Sequence, residues 1–123
     1  MTLDANIVIA YLNGDPIVIE QIVRWRKEGV TLFLSAAAEA EVLSFPALTA
    51  TELQTTEHFL IENFISIPID RSLARHAAAL RRMLKIKLWD ASIAATALVT
   101  HTPLVTRNVK DFRKVPGIRL MTI

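Results

Sequence analysis

The chain has 123 residues, the size of one ordinary domain, and at 52% apolar and 21% charged it can bury a real core. It contains no cysteine, which excludes a disulfide framework, a thiol nucleophile and any cysteine-based zinc or iron–sulfur site. A formal net charge of +2 hides a split: residues 1–70 carry three basic and ten acidic side chains (−7), whereas residues 71–123 carry eleven basic and two acidic ones (+9).

Thr2–Leu3 reads as the end of a short strand, followed by a helical turn or two over Asn6–Leu12 that closes at Asn13-Gly14. Asp15-Pro16 is a cap with proline at the first helical position, and Gly29 stops the helix that follows. Val30–Leu34 is apolar and β-prone, hence a buried strand. Ser35 can cap a helix over Ala36–Phe45 that Pro46 ends, and Thr49 with Glu52 has capping-box spacing for a helix to about Asn63. Its residues Leu53, Phe59, Leu60, Ile61 and Phe64 suggest more apolar surface than one small sheet covers, and so an interface. Ile65, Ile67 and Ile69 alternate as a strand does; Asp70 caps a helix whose stripe is Leu73, Ala77, Leu80 and Leu84. Asp90 opens a helix through Val99, and Leu104–Thr106 and Ile118–Thr122 are the last strands.

Strands at about 2–4, 30–34, 65–69, 104–106 and 118–122, separated by helices, predict an α/β fold: a parallel sheet of about five strands with helices on both faces. With no repeat or linker, residues 1–123 are expected to be one domain. The longest stretch without Asp, Glu, Lys or Arg is Ala91–Thr106, 16 residues interrupted by Pro103, too short and too polar to span a membrane. The start has an acid at position 4 and no basic run, so no secretory signal is read there, and the expectation is a soluble cytoplasmic protein.

Ligands in open parallel sheets bind beyond the carboxyl ends of the strands, where the strand order reverses. Asp4 ends the first strand, Asp111 follows the fourth, Asp90 starts a helix that runs back antiparallel, and the helix after the second strand carries Glu39 and Glu41. Four carboxylates on one rim repel one another unless a cation holds them. Oxygen-only ligands suit Mg²⁺ or Mn²⁺, which can orient a water and stabilise charge on a phosphodiester. His58, His76 and His101 have no ligand spacing. Alone, Asp4 or Asp90 would read as a helix cap. The cations of Arg71–Lys87 and Arg107–Arg119 add an electrostatic footprint suited to a polyanion.

Leu3-Asp4-Ala5-Asn6, then Ser35 with Glu41 six positions on, then Leu88-Trp89-Asp90-Ala91-Ser92-Ile93-Ala94-Ala95-Thr96-Ala97, then Thr106-Arg107-Asn108-Val109-Lys110-Asp111-Phe112, stand in the order and spacing of a known family. Over essentially its whole length the sequence resembles the PIN-domain ribonucleases, and most of all the VapC-type toxins of bacterial toxin–antitoxin pairs. The resemblance implies an acidic metal site of Asp4, Glu41, Asp90 and Asp111, supported by Asn6, Thr106 and Asn108 through hydrogen bonds. It implies dependence on Mg²⁺ or Mn²⁺, RNA as substrate, homodimerisation and inhibition by a cognate antitoxin protein. Periodicity does not choose between Glu39 and Glu41; the family spacing favours Glu41. Three departures stand out. Only Met1–Leu3 precede Asp4, Ala5 replaces the usual Thr or Ser, and Trp89 stands where something smaller is usual, as core or as a platform for a base.

Two other readings are weaker. A non-catalytic RNA-binding module of the same fold would have no need of four acids. A phosphoacceptor receiver domain needs a central acceptor Asp, and after residues 65–69 only Asp70, placed as a cap, is available. Three glycines supply no glycine-rich phosphate loop, which argues against a nucleotide-binding kinase or dehydrogenase.

Overall fold

A computed structural model describes residues 1–123. The elements run β1 (Thr2–Leu3), α1 (Ala5–Leu12), α2 (Pro16–Lys27), β2 (Phe33–Ser35), α3 (Ala36–Leu43), α4 (Ala50–Asn63) and β3 (Ile65–Ile67). They continue as α5 (Arg71–Leu84), α6 (Leu88–Thr100), β4 (Leu104–Val105), α7 (Val109–Phe112) and β5 (Leu120–Met121). All strand pairs are parallel, in the order β3-β2-β1-β4-β5. From β1 the chain builds outward to β2 and β3, then returns to the other side of β1 with β4 and β5. The order therefore reverses between β1 and β4, and the crevice for a ligand lies at their carboxyl ends.

Local chemistry sets most boundaries. The Asp15 carboxylate accepts from the Ile17 and Val18 N–H groups ahead of Pro16, and Gly29 leaves α2 at a φ of +73°. Thr49 and Glu52 form a reciprocal capping box on α4, and Asp70 accepts from the Leu73 N–H to start α5. The strands are shorter than the apolar runs suggest. Val30 folds back on α2, its N–H donating to the Trp25 carbonyl, so β2 begins only at Phe33. Ile65 and Ile69 stay exposed because β3 is an edge strand that ends at Ile67.

The core is one cluster of 27 buried apolar residues. Its centre is α6, where Ala91 to Ala97 are buried without a break. Such a helix has no polar face, and its alanines and Ser92 let it lie close against α5, α3 and the sheet. At its last turn the hydroxyls of Thr2, Thr100 and Thr102 form a closed ring of contacts of 2.7 to 3.0 Å, tying α6 to the start of β1. The expected surplus of apolar surface on α4 is mostly absorbed. Leu60 and Phe64 are buried, Phe59 stacks on Tyr11 with ring centroids 4.6 Å apart, and Ile61 alone of that set is fully open, at 76% exposure. No helix is long and apolar enough to cross a membrane.

Candidate active site

Asp4 emerges from β1 at the reversal point and is 6% exposed. Its backbone N–H still belongs to the sheet, donating to the Val105 carbonyl at 2.9 Å. One carboxylate oxygen, Oδ1, accepts from the Ala5 N–H at 2.7 Å and so caps α1. The other, Oδ2, accepts from the Thr106 hydroxyl at 2.7 Å, across the crevice from the end of β4. Burial pushes the Asp4 carboxyl above its ordinary pKa, and these two hydrogen bonds pull the other way. The cap reading of Asp4 is therefore correct for one oxygen and incomplete for the residue.

Thr106, fully buried, links Asp4 to the residues that follow. Its Oγ1 accepts from the Asn108 N–H at 2.9 Å, with the Asn6 amide 3.5 Å away, and the Asn108 side chain donates to Asp111 Oδ2 at 3.1 Å. Asn6 Oδ1 in turn accepts from the Arg107 N–H at 3.4 Å. Asn6, Thr106 and Asn108 thus form one hydrogen-bonded brace between two carboxylates. Asp111 stands on α7, a single turn absent from the sequence expectation.

Glu41 reaches the same rim from α3. Burial raises its pKa first, then the negative charges of Asp4 and Asp90 raise it further, while Lys87 lowers it. Asp90 behaves alike: burial first, then Asp4 and Asp111 raise its pKa, and Lys87 opposes them. No hydrogen bond contributes to either shift, so both carboxylates meet only like charge and one cation. Glu39, the alternative, points to the sheet edge and accepts from the Ser66 hydroxyl at 2.9 Å.

Asp90 does not open its helix. The helix α6 starts two residues earlier at Leu88, with Lys87 at the N-cap making no side-chain cap, so Asp90 lies inside the first turn. The reading of Asp90 as a cap fails, and its negative charge is left beside the positive end of the helix dipole. This earlier start also brings in Lys87, which the sequence reading had counted only as surface charge. Lys87 and Asp90 are three positions apart, neighbours on a helix face once the helix includes them. Arg107 changes role in the opposite sense. Its guanidinium donates to Asp15 Oδ2 at 2.7 Å and to the Ile123 carbonyl at 3.0 Å, so it fixes the loop after β4 and is not a free cation for phosphate. Trp89 is not core either, being 50% exposed.

In kind, this all-oxygen donor set fits a hard divalent cation. In arrangement, no three His, Asp or Glu side chains close on one point tightly enough to enclose an ion. The histidines take no part: His58 pairs with Glu62 on α4, and His101 ends α6 at the opposite edge of the sheet.

Comparison with known proteins bears on the family and the fold. The family model of the PIN domain matches residues 1–118. A toxin–antitoxin complex from Klebsiella pneumoniae contains a chain 32% identical to this one, covering 95% of this chain and 93% of that one with a TM-score of 0.80. VapBC2 from Rickettsia felis, bound to a DNA fragment from its promoter, is 22% identical with 99% and 97% covered and a TM-score of 0.83, a likeness of fold. The ribonuclease VapC of Rickettsia bellii (strain RML369-C) is 35% identical over 43 residues, which span 35% of this chain and 32% of that protein's length.

Proposed function

We propose, from the premise that this chain belongs to the PIN-domain family, that it is a metal-dependent endoribonuclease and the toxin of a type II toxin–antitoxin pair. Residues 1–123 act as one nuclease domain. The observation that supports this best is the hydrogen-bonded line from Asp4 through Thr106 and Asn108 to Asp111 at the reversal of the sheet, with Glu41 and Asp90 near enough to feel the charge of Asp4. Like charges on one rim raise one another's pKa unless a cation holds them, and groups perturbed in this way cluster at functional sites.

Asp4, Glu41 and Asp90 would hold Mg²⁺ or Mn²⁺, and Asp111, which accepts a hydrogen bond from the Asn108 side chain, would be a further ligand or would orient a water. The ion, when bound, supplies Lewis-acid stabilisation of charge on the phosphodiester. Thr106 aims Asp4 and favours its ionised form by donating to Oδ2, and Asn6 and Asn108 keep the loop after β4 in register with it. The cations of α5 and of Lys110, Arg113 and Lys114 draw the RNA backbone to the rim.

The similarity to a chain of a toxin–antitoxin complex, at 32% identity over nearly the whole length, supports a cognate antitoxin as partner. We place the active protein in the cytoplasm as a homodimer. The test is cleavage of single-stranded and structured RNA by the purified chain with Mg²⁺, with Mn²⁺ and with excess chelator. The expected result is cleavage that stops on chelation and returns with either ion. Undiminished cleavage in chelator would remove the metal mechanism, and RNA binding without cleavage under every condition would leave the non-catalytic module.

A further inference from the structure

A second concavity, of about 490 Å³, opens beside the acidic rim between α5 and the first turn of α6. Its walls include Ile69, Ala74 and Ala78 on one side and Lys87, Leu88 and Trp89 on the other. The Trp89 indole is half exposed here although most of α6 is buried, and Leu88 and Ile69 are open beside it. Lys87 belongs to both places: it lines this cleft and lies near enough to Glu41 and Asp90 to act on both. The surroundings are strongly positive. The helix α5 carries Arg71, Arg75, Arg81 and Arg82, and no acid occurs between Asp70 and Asp90.

An apolar cleft with an aromatic wall, a lysine in its lining and the arginines of α5 on a neighbouring element matches the two halves of a nucleotide, a π-faced base and a phosphate. An aliphatic peptide would use the apolar walls and leave the cations unmatched. We propose that the cleft receives one unpaired base of a single-stranded RNA, stacked on Trp89, with the Lys87 ammonium on the phosphate toward the acidic rim. The proposal rests on the endoribonuclease reading and adds the state of the strand: a base enters such a slot only when it is free of a helix. Trp89 and Lys87 then decide which nucleotide stands next to the bond that is cut.

The test uses the full chain and its Trp89→Leu and Trp89→Phe variants with short single-stranded RNAs. Binding of the parent and of both variants is read from the anisotropy of an end-labelled RNA in Ca²⁺ and in chelator, tryptophan quenching is followed in the parent, and KM and kcat are measured with Mg²⁺ or Mn²⁺. Trp25 is 5% exposed, so quenching on RNA binding reports Trp89. Trp89→Leu is expected to weaken binding and raise KM by roughly tenfold with kcat nearly unchanged, and Trp89→Phe to recover most of the loss. An RNA with an abasic site at the received position should show the same loss with the parent and no further loss with Trp89→Leu. Because Trp89 lies at the surface, these variants are expected to melt with the parent; a Trp89→Phe variant as impaired as Trp89→Leu would overturn the stacking role. A parent that cleaves RNA, with Trp89→Leu unchanged in KM, overturns the cleft alone. Conversion of a dimer to a monomer by Trp89→Leu at unchanged KM also overturns it, and assigns the cleft to a protein interface. A parent that neither binds nor cleaves RNA overturns this proposal together with the reading beneath it.

Discussion

The two ends of α6 solve the same packing problem with opposite chemistry. At its last turn Thr100 joins Thr2 and Thr102 in a ring of neutral hydroxyls, each within 3.0 Å of the other two. At its first turn Asp90 faces Asp4 and Asp111 with only Lys87 against them. One edge of the sheet satisfies its polar groups, and the other keeps carboxylates in mutual repulsion. The difference teaches where stability ends and function begins. Local rules are obeyed wherever nothing else is asked of the chain and are broken at the site, as expected of a protein that stores unfavourable contacts only where they serve a reaction.

Substitution at the charged end should give the largest effect. Asp90→Asn removes one charge and keeps the shape, so cleavage should fall by about 100-fold or more, the usual scale for losing an electrostatic group at a reacting centre. The metal-free variant should be as stable as the parent or slightly more so, since a repulsion is relieved. Added Mg²⁺ should raise the melting temperature of the parent more than that of the variant. Thermal melts with and without Mg²⁺, beside a cleavage assay, read all three, and a fully active Asp90→Asn protein would sink the proposed site.

Thr106→Val tests the brace that joins the two kinds of chemistry. It leaves Asp4 Oδ2 and the Asn108 N–H without partners in a buried place, and about 1–3 kcal/mol of stability should be lost. Thr106→Ser keeps the hydroxyl and should recover most of it, which denaturant titration of both variants would check.

A smaller effect concerns pH, and its sign runs against habit. Asp4, Glu41 and Asp90 all have pKa values raised in the folded state, so between their ordinary values, 3.8 to 4.5, and the raised ones the native protein holds more protons than the unfolded chain. Stability from these groups therefore falls as pH rises through that window and is regained as pH drops. In chelator the melting temperature should climb as pH falls from about 7 toward about 4.5, and the climb should flatten in Asp90→Asn. Asp15, whose pKa Arg107 pulls below 3.8, opposes this only at lower pH. A melting temperature that falls steadily over that interval would contradict the repulsive rim. The smallest effect belongs to the neutral end. Thr2→Val should cost on the order of 1 kcal/mol and leave cleavage and the metal response unchanged, as paired melts and rates would show.

The acidic side of this contrast was legible in the sequence and the hydroxyl ring was not, because Thr2, Thr100 and Thr102 are brought together only by the fold. The parallel sheet, its strand sequence and the carboxylates at its carboxyl edge follow from alternating apolar runs and from where each acid falls after a strand. The early start of α6 does not, because Lys87 caps nothing with its side chain and leaves no boundary signal. The single turn α7 is hidden likewise: Asn108 spends its side chain on Asp111 and not on capping the helix. Periodicity failed on α6, which is apolar all round, and so could not tell that Trp89 faces out. It failed again between Glu39 and Glu41, where a tertiary partner, Ser66, takes one of the two away. Arg107 was misread for a related reason, since a count of charges cannot see that Asp15 already holds it.

The unbroken burial of Ala91 to Ala97 makes α6 a gauge between the two edges of the sheet. Each residue of a helix advances about 1.5 Å and turns about 100°. One residue inserted or removed between Asp90 and Thr100 would therefore swing one terminal group about a quarter-turn or more off its partners while the other stayed in place. Changes of length in this chain can be absorbed in the connections, such as the stretch between α3 and α4, but not in α6. The distance from the hydroxyl ring to the acidic rim is fixed by a count of residues.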